Sequence, residues 1–176
     1  MKNFVSLILV FLFCSCTTTM PDRVNKLRDF EVSSKKLFIK QFDFDPSIAM
    51  NVDKNFVRNF GQEIALDIAD LFQKENKQID ARLKGNEEDC DFLIRGKITQ
   101  VEGGSMHARV WLGFGYGASF VSVNGELMNL KTTESVMRFS LTKRSNWTWS
   151  NSETAVRENL NEVAQEIVNS ILEKRN

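Results

Sequence analysis

Three glycines alternate with aromatic residues in the segment WLGFGYGAS, and no other segment has residue types so suggestive of ligand binding. Closely spaced glycines such as Gly113, Gly115 and Gly117 can bring backbone N–H groups close to a phosphate. A dinucleotide-binding loop, however, has the spacing G-x-G-x-x-G and leads into a helix. Here the spacing is G-x-G-x-G, and the residues that follow, ASFVSV, have the pattern of a strand. The sequence therefore argues against a nucleotide site.

Two interpretations of this glycine-rich segment stay open. In the first, the glycines permit positive φ and close backbone approach, so the segment shapes the start of the next strand. In the second, Phe114 and Tyr116 project from the segment and bind a protein partner or the lipid interface. Trp147 and Trp149 raise the same choice, and for them we favour packing against the sheet beside the last helix.

The remaining reactive residue types do not form a recognisable catalytic or metal site. His107 is the only imidazole, and its neighbours supply neither a nucleophile nor an orienting acid. The acidic run NEEDCD lacks the alternating oxygen ligands and central glycine of a calcium loop, and no cluster has zinc-ligand spacing. We therefore expect no catalytic residue, no metal and no cofactor. Cys90 starts an apolar run and is expected to be a buried thiol, with an intermolecular disulfide or a reactive thiol as alternatives.

Composition limits the class of partner. The 176 residues carry 23 basic and 23 acidic side chains, so no basic excess is available to neutralise phosphates, and nucleic acid binding is not expected. The 42% content of hydrophobic residues is enough for a packed core, and the length suits one domain.

The chain begins with the features of a secretory signal. Lys2 precedes an apolar run of about ten residues, which is too short to span a bilayer. The residues that follow, Phe13-Cys14-Ser15-Cys16, resemble the lipobox of bacterial lipoproteins, in which a Leu-like residue and two small residues precede the lipidated cysteine. The resemblance implies a signal peptide over residues 1–15, lipidation of Cys16 and a lipidated tether over residues 16–34. A simple secreted protein or an uncleaved membrane anchor is the alternative.

The residue after the cysteine bears on location. Thr17 stands where lipoproteins kept at the inner membrane typically have aspartate, so in a cell with two membranes the resemblance implies a periplasm-facing lipoprotein of the outer membrane. The expected function is a non-enzymatic binding or assembly module of the cell envelope, attached to the membrane through Cys16 and able to bind a protein partner. The alternative is an oligomeric structural subunit of an envelope secretion or assembly complex.

The pattern of apolar residues predicts the elements that must position these segments. Their order is β–α–β–β–β–β–α, which predicts a single α+β domain over residues 35–176. We expect a mainly antiparallel sheet of four to five strands with two amphipathic helices on one face. The expected elements are a strand at 35–44, a helix at 53–75 with Asp53 as N-cap, strands within 77–85, 90–102, 118–130 and 135–145, and a helix starting at Ser152.

The segment from Asp89 to Ser135 resembles the core of bacterial lipoproteins of the domain of unknown function 4410 family. The resemblance implies a periplasm-facing lipoprotein with an α/β fold and implies no activity. One departure is the turn NLKTTE, which lacks the glycine usual in the family and so affects the type of hairpin. The matching residues are Asp91, Phe92, Gly96, Ile98, Arg109, Gly113, Gly115, Gly117 and Ala118.

Overall fold

The computed structural model describes residues 22–32, 35–45, 59–104, 118–145 and 151–173. Seven strands and two α-helices lie in these ranges. In chain order they are β1 (Arg23–Lys26), β2 (Lys36–Ile39), β3 (Asp43–Phe44), α1 (Phe60–Glu75), β4 (Asp80–Arg82), β5 (Phe92–Glu102), β6 (Ser119–Asn129), β7 (Glu134–Ser145) and α2 (Ser152–Leu172).

The strands form one mixed sheet in the order β1-β7-β6-β5-β2-β4, with β3 also paired to β5. The α+β class is confirmed, but the prediction of a mainly antiparallel sheet of four to five strands is partly wrong. Strands β1, β7, β6 and β5 are antiparallel neighbours. Strand β2 pairs in parallel with both β4 and β5, and β3 pairs in parallel with β5. The parallel pairs arise because α1 is a crossover connection that carries the chain back to start β4 beside β2.

The first predicted strand, residues 35–44, is two strands. The chain takes four residues to pass from Ile39 to Asp43, whereas β5 takes three to pass from Ile94 to Lys97. The extra residue breaks the ladder and lets the side chain of Phe42 enter the core.

The folded part of the chain starts earlier than the sequence predicted. Strand β1 lies inside residues 16–34, which were expected to be only a tether, and it pairs antiparallel with β7. Its four residues are too few and too polar for their alternation to stand out in the sequence. The structured chain therefore includes Arg23, twelve residues before the predicted boundary at residue 35.

Both helices pack on one face of the sheet, as predicted. The stripe of α1 and the stripe of α2 join the inner side chains of β5, β6 and β7 in one buried cluster. The predicted start of the first helix, including Asp53, lies outside the described residues. The largest fully buried side chains are Phe60, Phe72, Leu37, Ile39, Ile64, Ile68, Ile94, Ile98, Leu127, Met137, Leu141 and Leu160.

Two glycines in neighbouring strands make room for aromatic rings in this core. Gly96 and Gly125 are paired across β5 and β6. A Cβ at Gly96 would overlap the ring of Phe42, and a Cβ at Gly125 would overlap the ring of Phe139. The glycine pair therefore lets two rings lie directly on the sheet beneath the helices.

Candidate functional site

Several chain segments meet at one end of the sheet, which we call the tether end. Strand β5 finishes there, β6 begins there, and β7 finishes beside them, because Glu102 pairs with Phe120 and Phe120 pairs with Arg144. Helix α2 starts at the same end. We define the tether end by the described residues Asp22, Gly104, Ala118, Ser119, Ser145 and Asn151.

The N-terminal segment enters at this end. Arg23 pairs with Ser140 and Lys26 with Met137, so the chain before Arg23 continues along β7 towards Ser145. Asp22 confirms the direction because its Oδ1 accepts a hydrogen bond of 2.6 Å from the backbone N–H of Thr142.

The carboxylate of Asp22 also fastens this segment to the domain. Its Oδ2 accepts a hydrogen bond of 2.9 Å from Nζ of Lys143, and the same ammonium lies 3.7 Å from Oε2 of Glu166 on α2. Burial by itself lowers the pKa of Lys143, but the hydrogen bond to Asp22 and the charges of Asp22, Glu166 and Glu162 outweigh it and raise the pKa. The charged ammonium thus joins the tether, the sheet and the last helix.

Covalent geometry limits how far Cys16 can lie from this end. Six peptide units separate Cys16 from Asp22. An extended chain spans at most about 3.3–3.6 Å per residue, so the two Cα atoms are no more than about 20 Å apart. For comparison, the sheet is about 34 Å long from Ser119 to Asn129.

A buried polar cluster supports the strands at the same end. The hydroxyl of Ser119 accepts a hydrogen bond of 3.1 Å from Nδ2 of Asn159 and lies 2.5 Å from the hydroxyl of Ser145. Ser119 and Asn159 are fully buried. The Oδ1 atom of Asn159 has no hydrogen-bond partner in the described part of the chain. This cluster holds β6 and β7 to α2 beneath the two connections that leave the sheet there.

Hydrogen bonds also fix the start of α2. Oδ1 of Asn151 accepts a bond of 2.8 Å from the backbone N–H of Thr154, which is a regular N-cap. The hydroxyl of Ser152 donates a bond of 3.0 Å to the carbonyl oxygen of Gly104. The ends of β5 and the start of α2 are thereby joined.

The site residues predicted from the sequence lie outside the described residues. This holds for Cys16, for Phe114 and Tyr116, and for His107. The structure does show where their segments leave the domain. Residues 105–117 connect Gly104 to Ala118, and residues 146–150 connect Ser145 to Asn151, so both connections and the tether leave from one end.

Sequence reasoning missed this convergence and the residues that support it. Asp22 lies within the predicted tether of residues 16–34, and Ser119 and Asn159 lie within a predicted strand and a predicted helix to which the pattern assigns no polar cluster. One signal was available for the last of these, because Asn159 is a polar residue next to Leu160 in an otherwise apolar stripe. No comparable feature of the sequence indicates that β1 pairs with β7.

The described residues offer little reactive chemistry. They contain no group of three or more His, Cys, Asp or Glu side chains able to hold a metal ion. Cys90 is buried and free, as expected, and burial raises the pKa of its thiol. Among the described helices, none is both long and apolar enough to cross a membrane.

The family assignment rests on most of the chain. The family model described as Domain of unknown function (DUF4410) matches residues 27–156. The chain belongs to this family. No curated protein shows significant sequence similarity to it.

Solved bacterial structures share the fold at low sequence identity. The PelC dodecamer from Paraburkholderia phytofirmans is similar over 88% of this chain and 99% of its own, with a TM-score of 0.58 and 12% identity. The hypothetical protein CT253 from Chlamydia trachomatis is similar over 78% of this chain and 97% of its own, with a TM-score of 0.51 and 6% identity. Protein XCC0632 from Xanthomonas campestris is similar over 76% of this chain and 81% of its own, with a TM-score of 0.50 and 11% identity.

Proposed function

We propose that this protein is a lipoprotein of the cell envelope, anchored through Cys16, that serves as a non-enzymatic binding or assembly module facing the periplasm. The observation that carries the proposal is the tether end. Asp22, the first described residue of the segment that leads to Cys16, lies beside Thr142 towards the end of the sheet from which the glycine-rich connection also leaves.

Anchoring at this end orients the domain. With lipid on Cys16, the membrane surface lies within about 20 Å of Asp22. The connections that contain Phe114, Tyr116, Trp147 and Trp149 then start on the membrane side of the domain. Aromatic side chains are favoured at the boundary between lipid and water. This orientation supports the second interpretation of the glycine-rich segment, in which Phe114 and Tyr116 bind lipid or a partner at the membrane.

The non-enzymatic part of the proposal rests on the groups that converge at the tether end. The hydroxyl of Ser119 is enclosed and hydrogen-bonded to the amide of Asn159, which cannot accept its proton. Ser145 shares the same hydrogen-bonded cluster. These groups suit a structural role, since a nucleophilic hydroxyl needs a neighbouring base.

Metabolic labelling tests the anchor directly. Cells that produce the wild-type chain are grown with a clickable palmitate analogue, in parallel with cells that produce Cys16→Ala or Cys14→Ala. Label is expected on the wild type and on Cys14→Ala and is expected to be lost from Cys16→Ala. Undiminished labelling of Cys16→Ala would refute anchoring at this residue. Separation of the two membranes by density then tests the outer-membrane location, and recovery in the inner-membrane fraction counts against it.

Crosslinking in intact cells tests the binding role. A photoreactive amino acid at the exposed position Lys84 or Thr132 is expected to capture a second envelope protein. Capture of this chain alone at both positions counts against a separate partner and favours the second candidate.

The second candidate is an oligomeric structural subunit of an envelope secretion or assembly complex. It is supported by the similarity of the fold to PelC, a protein solved as a dodecamer. Sedimentation of the full-length protein in detergent separates the candidates, because a monomer at high concentration argues against the structural subunit.

A further inference from the structure

The two faces of the domain carry opposite net charge. Helices α1 and α2, which form one layer, contain eight acidic and two basic residues. The seven strands contain nine basic and five acidic residues. Two of the basic residues face the helix layer, since Lys143 contacts Glu166 and Lys26 donates a hydrogen bond to the carbonyl oxygen of Glu173. The other strand residues, seven basic and five acidic, leave a small positive excess outside the helix layer, whereas the helix layer itself is acidic.

Acidic side chains crowd the exposed surface of the helix layer. Asp67 lies between Glu63 and Asp70 on α1, and burial together with these two charges raises its pKa despite Asn161 and Arg157 nearby. Leu66 lies among these acids with 43% of its surface exposed. A single exposed leucine is normal on a protein surface, so the acidic charge is the feature of the helix layer that matters for binding.

The outer face of the sheet presents a row of charged side chains in which cations outnumber the single carboxylate. Arg95, Glu126 and Arg138 are neighbours across β5, β6 and β7. Both arginines share the one carboxylate, at 2.6 Å from Arg95 and 3.8 Å from Arg138, so the row keeps a net positive charge. The side chains of Arg95 and Arg138 are 50% and 67% exposed, and Arg144 lies further along the same face of β7.

We propose that the helix layer of one copy docks on the outer sheet face of a second copy. The sizes agree with such an interface. Helices of 16 and 21 residues side by side cover about 30 by 20 Å, or roughly 600 Å² per partner. This reaches the area of about 1,000 Å² in total that a specific interface needs. A shallow hollow of about 520 Å³ between Lys40 and Arg138 lies on the receiving face.

The charges of the two faces also favour one symmetry of assembly over another. A two-fold pair would place helix layer against helix layer or sheet against sheet, and each arrangement brings like charges together. Contact between the helix layer of one copy and the outer sheet face of the next brings opposite charges together and produces a row or a closed ring of copies. If Cys16 is lipidated, which is part of the proposed function, rotation about the membrane normal keeps every tether end on the membrane.

Charge reversal on each face tests this interface. Four changes on the helix layer, Asp70→Lys, Glu75→Lys, Glu158→Lys and Glu162→Lys, reverse its net charge at exposed positions. Arg138→Glu with Arg144→Glu reverses exposed positions of the sheet face. The full-length lipidated protein is studied in neutral detergent, with mass measured by sedimentation equilibrium. The wild type is expected to assemble beyond a monomer, less so as salt is raised. Each reversed variant alone is expected to stay monomeric.

A mixture of the two charge-reversed variants is the decisive experiment. An equal mixture of the two variants is expected to assemble, because the basic helix layer of one fits the acidic sheet face of the other. A chain with all six substitutions is also expected to assemble with itself. A wild type that stays monomeric overturns the proposal, as does a wild-type assembly whose size neither set of substitutions changes.

Disulfide crosslinking gives an answer even if a reversed variant does not fold. Gln73→Cys on α1 and Asn124→Cys on β6, in one Cys90→Ala chain, are expected to give a ladder of multimers on oxidation. Chains with only one of the two cysteines are expected to give no ladder and no efficient dimer. Efficient dimers from the Gln73→Cys chain would show a two-fold interface and overturn the proposal. Assembly in detergent is read independently of palmitate labelling, so failure of the anchor and failure of the interface are distinguishable.

Discussion

The carbonyl oxygen of Phe42 occupies the position where any residue other than glycine at position 61 would place its Cβ. The backbone N–H of Phe42 in turn donates a hydrogen bond of 3.1 Å to the carbonyl oxygen of Gly61. Helix α1 thus packs backbone to backbone on the link between β2 and β3. The ring of Phe42 fills the space above Gly96.

Gly61→Ala is expected to destabilise the protein for this reason. The added methyl group must displace the helix or the link, and overpacking of this kind costs about 1–3 kcal/mol. Chemical denaturation measures the change in the free energy of unfolding. Gln62→Ala, at the exposed neighbouring position, is the control and should change that free energy by less than about 0.5 kcal/mol. Equal effects of the two substitutions would contradict the close contact.

Asn159→Leu is expected to be destabilising, because it deprives the buried hydroxyl of Ser119 of its donor. The hydroxyl of Ser119 keeps its contact with the hydroxyl of Ser145, so the cost is that of one hydrogen bond, about 0.5–1.5 kcal/mol. The double variant with Ser119→Ala should lose less stability than the sum of the single changes. Thermal unfolding of the four proteins measures the coupling, and Asn169→Ala, exposed on the same helix, is the matched control. Strict additivity would show that the two residues do not act together.

The bond between Asp22 and Lys143 predicts a dependence of stability on alkaline pH. The pKa of Lys143 is higher in the folded state, so its contribution is complete below the ordinary lysine pKa of about 10.4 and is lost as pH rises through the folded-state value. Lys143→Met should therefore lower the melting temperature at pH 8, and the difference from wild type should shrink above pH 11. Lys84→Met, at an exposed loop position, should show little difference at either pH. A constant deficit for Lys143→Met would contradict the linkage.

The sequence predicted the framework of the fold better than its edges. The helix stripes and the alternation of Met137, Phe139 and Leu141 are strong periodic signals, and these elements are present where the pattern placed them. Strands were predicted where β2 and β4 lie, but their parallel pairing was missed, because pairing between distant segments leaves no local period. The candidate site depended on another such pairing, since the pairing of β1 with β7 brings Asp22 to the end of the sheet from which the glycine-rich connection leaves.

Mutations in the glycine-rich connection distinguish its two interpretations. Gly115→Val should reduce stability if the segment is needed to start β6, because a branched side chain cannot adopt glycine conformations. Phe114→Ser with Tyr116→Ser should leave the melting temperature unchanged and weaken binding to lipid vesicles or to a crosslinked partner if the aromatic residues act at the membrane. Vesicle flotation and thermal unfolding, run on both variants, give the two readouts. Loss of stability in the aromatic variant with unchanged flotation would favour a purely architectural role.

Orientation on the membrane is the most direct test of the proposed role. The full-length lipidated protein with Cys90→Ala carries one fluorophore, at Arg144→Cys near the tether end or at Thr132→Cys in the turn between β6 and β7 at the opposite end. Each protein is placed in vesicles that contain a quencher on the lipid headgroup. Strong quenching at position 144 and weak quenching at position 132 are expected, because the two ends of β6 are about 34 Å apart along the strand. Equal quenching at the two positions, or stronger quenching at position 132, would contradict a tether end that faces the membrane.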